Sequence, residues 1–449
     1  MAPPVSGLCA LPEELLLAIM DFFYDQVDTI HEDQTVLCSL CLTNRRLYGV
    51  AQPLLYRKFK AELCNNRQLL GILLKEPRIG PQIRELSFQD SKEYKSDPLT
   101  YNVRRHLCKK MEEFGITNPY HYFPILEVKK PKYILASDEV LAAMLLLTPG
   151  IQTLAIYDSK DPTPHSLAWM RMLGEVGFHR SLPLADHFQH LHSITIDMRR
   201  IPFTSIINLI GIPSIRSLRV MFATHENDVP EPFWDLGISP HSSPLKNLYL
   251  DFAPFVDSRA VAWVLHYIKA LQVFRYVAEN GRTTHNENLK LNYPVLIKGL
   301  LEHKDFLEEC AIINRSDTRC KSSAIGSLQH FYRLHTLSID IECFSLMGET
   351  LERACIADKL PGSLTGLQIV FGEADEFPDA GTEQIDVIDE EDWKECLEDL
   401  GEACRTRLPR LKKIVFRKYG SNCAARLRGE LAELFSSNGV EVVEGSTWS

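Results

Sequence analysis

Two clusters in this 449-residue chain have residue types and spacings that could do chemistry. Cys38-Ser-Leu-Cys41 has the two-residue gap shared by redox dithiols and zinc half-sites. No matching pair follows downstream, and two thiols fall short of the four ligands a structural zinc takes. Asp186, His187, His190 and His192 form the densest ligand-like group. His192 enters a strand while His187 and His190 line the turn before it, so these read as surface histidines and no metal site is expected. Phosphate, acyl-transfer and metalloprotease motifs (Walker loop, Gly-x-Gly-x-x-Gly, Gly-x-Ser-x-Gly, His-Glu-x-x-His) are absent from the sequence. Asn314-Arg-Ser316 is a glycosylation sequon by pattern only. Nothing pairs a nucleophile with a base, so the expectation is a protein that is not an enzyme and takes no cofactor.

The elements around the cysteine pair are more informative. Residues 11–59 contain three short amphipathic helices in about fifty residues, too few to bury a self-sufficient core. Leu11-Pro12-Glu13-Glu14 is a helix opening: proline is tolerated in the first turn, and two carboxylates sit at the positive end of the dipole. Leu15, Ile19 and Phe22/Phe23 recur at helical spacing, with Leu16 and Met20 widening the stripe. A second stripe, Val36, Leu37, Leu40 and Cys41, starts from Asp33 as N-cap, and Arg45 and Arg46 fall near that helix's C-terminal end.

This stretch resembles the F-box, the module that docks substrate receptors onto the adaptor of SCF-type ubiquitin ligases. The resemblance is carried by Leu11-Pro12, Glu14, Leu15 and Ile19, then Leu37, Leu40 and Leu42, then Asn44-Arg45-Arg46-Leu47-Tyr48 and the closing Pro53-Leu54-Leu55-Tyr56, which looks like the fungal style. The segment Asp25–Glu32 is longer and more polar than that family's usual link.

Composition narrows the classes. The chain is too long for one compact core, so two domains or an extended repeat array are expected. A net charge of −10 argues against broad binding to nucleic acid or anionic membranes. Met1–Ala10 lacks a basic start and an apolar core, and the longest apolar run, Val140–Leu147, is far short of a membrane span. The twelve cysteines form no regular framework and read as reduced thiols. A soluble intracellular protein, cytoplasmic or nuclear, is expected.

Beyond about residue 80 one phrase returns: an apolar residue, two variable ones, then two apolar residues separated by one. It stands at Ile83–Phe88, Ile151–Ile156, Leu191–Ile196, Ile215–Val220, Leu245–Leu250, Leu271–Tyr276, Leu334–Ile339, Leu364–Ile369 and Leu411–Phe416, with Phe306–Ile312 a weaker member. Each predicts a short strand. Helical stripes lie between them at Ser137–Thr148, Thr204–Ile210, Ser258–Ala270, Pro294–His303, Leu346–Leu360, Glu391–Arg405 and Ala425–Phe435. Strand, turn, helix, turn is the pattern of a leucine-rich-repeat solenoid, though the spacing is longer than usual and the asparagine/cysteine ladder is not consistently filled. A doubly wound α/β domain would also alternate strand and helix, but the repeated strand phrase favours the solenoid. The divergent repeats resemble those of fungal F-box proteins.

The expected fold is therefore α/β: a three-helix F-box over residues 1–60, then an irregular leucine-rich-repeat solenoid over 61–449, parallel strands on its concave face and helices outside. Insertions interrupt it at about 89–135, with one helix at Thr100–Phe114, and at about 371–392, where ten acidic residues occur without lysine or arginine. That acidic run reads as a solvated loop, or else as a trap for a basic substrate segment.

The resemblance implies a substrate-recognition subunit of an SCF-type E3 ubiquitin ligase. It implies adaptor contacts through Leu11, Pro12, Leu15, Ile19, Leu37, Leu40, Leu42, Arg45 and Leu47, with cullin reached through the adaptor. An unknown protein substrate would lie on the concave face, where strand alternation nominates Tyr157, Thr195, Asp197, Arg219, Met221, Tyr249, Asp251, Arg275, Asp340 and Gln368. That face is mixed in charge, so an obligatory phosphorylated degron is not indicated. Two other readings stay open: a repeat-based scaffold acting outside a ubiquitin ligase, and a binding protein whose N-terminal helices merely cap the repeats. No nucleic acid or membrane partner is expected.

Overall fold

A computed structural model describes residues 11–26, 30–60, 66–89, 100–123, 136–157, 168–178, 183–199, 201–223, 239–252, 256–278, 291–314, 324–344, 356–371, 390–418 and 431–444. The chain packs as two units, one of Met1–Ile196 with Ile212–Ile215, the other of Asp197–Gly211 with Arg216–Ser449. Most of the acidic stretch, much of the 89–135 insertion, the sequon serine and Leu346–Cys355 fall outside the described residues.

The first unit opens with α1 (Glu13–Gln26), α2 (Ile30–Thr43) and α3 (Arg45–Leu55). Helix α2 begins at Ile30, not at Asp33. Leu16, Met20, Leu37, Leu47, Val50, Ala51 and Leu54 form a closed apolar core among these helices. Asn44 caps α3, its side-chain oxygen accepting from Leu47 N at 2.9 Å. An Arg46 guanidinium N–H donates to the Leu11 carbonyl, tying the start of the segment to α3. Then follow β1 (Lys58–Lys60), α4 (Asn66–Lys75), β2 (Glu85–Gln89), α5 (Tyr101–Glu113), α6 (Ala136–Leu147), β3 (Thr153–Tyr157), α7 (Ala168–Phe178), α8 (Pro183–His187) and β4 (Ser193–Asp197). Strands β1, β2, β3 and β4 pair in parallel, each with its neighbour in the chain.

The second unit contains α9 (Ile207–Ile210), β5 (Ser217–Met221), β6 (Asn247–Asp251), α10 (Ser258–Tyr267), β7 (Val273–Ala278), α11 (Tyr293–Leu300) and β8 (Glu309–Asn314). It continues through β9 (Thr336–Asp340), α12 (Ile356–Lys359), β10 (Gly366–Phe371), α13 (Glu390–Arg407), β11 (Lys413–Lys418) and β12 (Glu441–Glu444). Strands β5 to β12 again pair in parallel in chain order. All ten strand phrases of the sequence form strands, with the apolar pair of each buried, as in Leu218/Val220, Leu248/Leu250 and Phe274/Tyr276. This is an α/β arrangement of parallel strands flanked by helices, solenoid-like within each unit.

Backbone groups do what a side-chain ladder would. The residue entering each strand donates its N–H to the equivalent carbonyl one repeat earlier: Gln272 N to Lys246 O, Glu308 N to Gln272 O, His335 N to Glu308 O and Thr365 N to His335 O, each at 2.8 Å. Serines close the turns. Ser214 Oγ donates toward the carbonyls of Phe188 and Leu191, and the buried Ser363 Oγ toward those of Phe331 and Leu334. No described helix is long and apolar enough to cross a membrane.

Candidate functional site

Outward-pointing residues at the carboxyl ends of β5, β6 and β7 converge in the second unit. Register places Arg219, Tyr249 and Arg275 side by side, with Met221 beside Asp251 two residues further along. From the flanking strands the two arginines reach diagonally to the Asp251 carboxylate, whose side chain is 9% exposed. Arg219 Nε lies 3.3 Å from Oδ2 and Arg275 Nε 2.9 Å from Oδ1. Asp251 Oδ1 and Arg275 Nε are both buried, and their short approach is a charge contact without ideal hydrogen-bond alignment. The Arg219 guanidinium carbon sits 5.0 Å from the centre of the Tyr249 ring. Burial pushes the Tyr249 hydroxyl pKa up while Arg219 and Arg275 pull it down, leaving a neutral phenol that can donate at physiological pH.

Beside this group Asp197, buried at the end of β4, grips Arg199 through Nε at 3.1 and 3.0 Å and Nη2 at 2.6 Å. The Arg199 guanidinium carbon stands 4.4 Å from the centre of the Phe222 ring, which stacks on Phe252 with centroids 5.4 Å apart. Phe222 and Phe252 leave their strands at φ 54° and 53°. Left-handed backbone at bulky non-glycine residues costs about 1–3 kcal/mol each and collects at binding sites. Phe222 N donates to Asp251 O at 3.0 Å, which helps hold that turn. Sequence alternation missed Arg199, Phe222 and Phe252, all of which lie just past a strand end. Arg199 stands three residues after its strand phrase, and Phe222 and Phe252 two residues after theirs.

Together, three guanidiniums stand against two buried carboxylates, beside the half-buried Phe222 and Tyr249 rings and the exposed Phe252 ring. Such a surface can hold a peptide by hydrogen bonds and stacking.

The other nominated residues divide. Tyr157 and Thr195, in the first unit, are half-buried. Asp340 and Gln368 are buried, as is their neighbour Ser338. Asp340 accepts from the Asn314 backbone N–H, so it holds the end of β8 instead of facing solvent. Val277, Ile313 and Val370, on the same outward phase, form a buried apolar cluster. The open part of the strand face therefore lies toward β5–β7, and Asp340 and Gln368 do not belong to it.

In the N-terminal helices Pro12, Leu15, Leu42 and Arg45 are exposed, Leu15 at 51% and Leu42 at 88%. Leu11, Ile19 and Leu40 are half-buried. Leu37 and Leu47 are buried in the three-helix core, so they support this surface and are not presented by it. Val36 and Tyr48 are also exposed, so among the described residues Leu15, Val36, Leu42 and Tyr48 are large apolar or aromatic side chains open to solvent.

The cysteine and histidine clusters dissolve. Cys38 is exposed and Cys41 half-buried on α2, and burial, with Cys38 adding to it, raises the Cys41 thiol pKa, the opposite of a reactive dithiol. His187 is not a surface histidine: its Nε2 lies 3.0 Å from Leu145 O, and its ring packs on Phe114 and Phe188. His190 and His192 are exposed.

No family model and no curated protein matches this chain.

Proposed function

We propose that this chain is a non-catalytic receptor of F-box and leucine-rich-repeat type. Its N-terminal helices dock the adaptor of an SCF-type ubiquitin ligase, and its repeats hold a protein substrate. The observation that carries the reading is the exposure of Leu15, Val36, Leu42 and Tyr48 on helices that bury Leu16, Leu37 and Leu47 in a shared core. A helix packet that has an apolar core and still leaves leucines in water suits a helix-in-groove partner better than a cap that buries its apolar residues within the chain. Substrate binding falls to Arg199, Arg219, Phe222, Tyr249, Phe252 and Arg275. The receptor supplies proximity, raising the effective concentration of substrate lysines near a charged conjugating enzyme.

Affinity purification from cells tests this, comparing wild type with Leu11→Ala/Pro12→Ala. The expected result is adaptor and cullin with wild type only, other partners being retained by the variant. Adaptor without cullin would move the protein to a scaffold outside a ligase, and an adaptor signal unchanged in a folded double variant would remove the docking assignment.

A further inference from the structure

We propose that the second unit carries a binding site for a zinc-class divalent transition-metal ion, formed by His241, His266 and Glu302. Among the described residues these three bring their ligand atoms within 4.8 Å of one another. They come from successive parts of the repeat: His241 from the turn ahead of β6, His266 from the last turn of α10, and Glu302 from the 3₁₀ turn after α11.

His266 Nδ1 lies 3.0 Å and His241 Nε2 3.8 Å from the same oxygen, Glu302 Oε2, and the imidazole centroids are 5.0 Å apart. Ligand atoms around a tetrahedral zinc stand roughly 3.3–3.5 Å from one another, so the three need only small side-chain adjustments. Two imidazole nitrogens with one carboxylate oxygen suit zinc, copper or nickel better than magnesium or calcium, which prefer oxygen alone. The fourth position would be water, because both imidazoles are nearly half exposed. Binding takes the His266 tautomer with its proton on Nε2, freeing the Nδ1 lone pair.

The backbone holds these residues in place independently of any ion. His241 N donates to His266 O at 3.1 Å, and His241 itself is kept at φ 55°. The fully buried His303 reaches Leu265 O from Nε2 at 3.1 Å, pinning the Glu302 turn against α10. Gly299 lets α11 approach α10, since a Cβ there would stand 3.0 Å from the Ala262 Cα and Cβ. An ion here would clip three consecutive repeats together.

The test uses the full chain, calorimetric titration with zinc chloride and the visible spectrum with Co²⁺. One equivalent should bind with a tetrahedral Co²⁺ spectrum lacking thiolate bands, and zinc should raise the melting temperature. His241→Ala and Glu302→Gln, both at exposed positions with folding checked by circular dichroism, should each weaken binding at least about tenfold and abolish the thermal shift. Absence of binding at millimolar zinc would overturn the site, as would unchanged affinity in a His241→Ala/His266→Ala variant or thiolate bands that persist in it. Glu302 would then be only the hydrogen-bond acceptor of His266.

Discussion

Arg275 Nε lies 2.9 Å from Oδ1 of Asp251, a carboxylate almost wholly withdrawn from solvent, yet the two complete no directional hydrogen bond. The buried ion pair fixes the guanidinium in position. Asp251→Asn removes the charge that holds Arg219 and Arg275 and should cost about 1–3 kcal/mol, read from urea unfolding. Reversing both arginines to glutamate should abolish substrate capture with adaptor binding intact. Capture that survives the reversal would show that the substrate lies elsewhere.

Exposure separates two leucines of the N-terminal helices. Leu42 stands in water, so Leu42→Asp should change stability by less than about 0.5 kcal/mol and still eliminate adaptor recovery. Leu47 is core, and Leu47→Ala should cost about 2–5 kcal/mol. Equal melting temperatures for the two variants would contradict this division.

His187 links stability to pH. Burial, with Lys110 adding to it, lowers its pKa in the fold, while its hydrogen bond to Leu145 O opposes them. The unfolded chain, with an imidazole pKa near ~6.5, takes up a proton below that pH that the folded chain refuses. Its contribution is therefore constant above about 6.5 and is lost as pH falls from there toward the lowered folded value. With His187→Gln, which keeps an N–H donor but does not titrate, the wild-type-minus-variant stability difference should fall as pH drops through that window; a difference curve independent of pH would refute the assignment.

Gly299 sets the α10–α11 spacing. Gly299→Ala adds a methyl that Ala262 and Leu265 must give way to, costing about 1–3 kcal/mol, partly offset by up to about 1 kcal/mol of helix propensity. Thermal unfolding should register a net loss, and a stabilised variant would mean the helices separate freely.

Much of the fold was legible because burial repeats locally. The apolar pair of each strand phrase faces inward at every repeat, so period-two alternation located all ten strands. Strands β1 and β12 escaped, being only three and four residues long. Helices α4 and α7 went unread although Leu69, Leu70 and Leu73, and Trp169, Met172, Leu173 and Val176, carry helical stripes. The candidate site was half legible: strand phase nominated Arg219, Tyr249, Asp251 and Arg275, but said nothing of residues past the strand ends.

The sequence by itself determined the strand phase and the amphipathic helices at residues 11–59. These depend on which residues stand a few positions apart. Tertiary structure alone decided that Asp340 and Gln368 are buried while Arg219 is open, that Leu37 and Leu47 are core while Leu42 is not, and that His241, His266 and Glu302 meet. Each of those outcomes depends on what the neighbouring repeat or helix places against the residue, a distance across the chain that local periodicity does not encode.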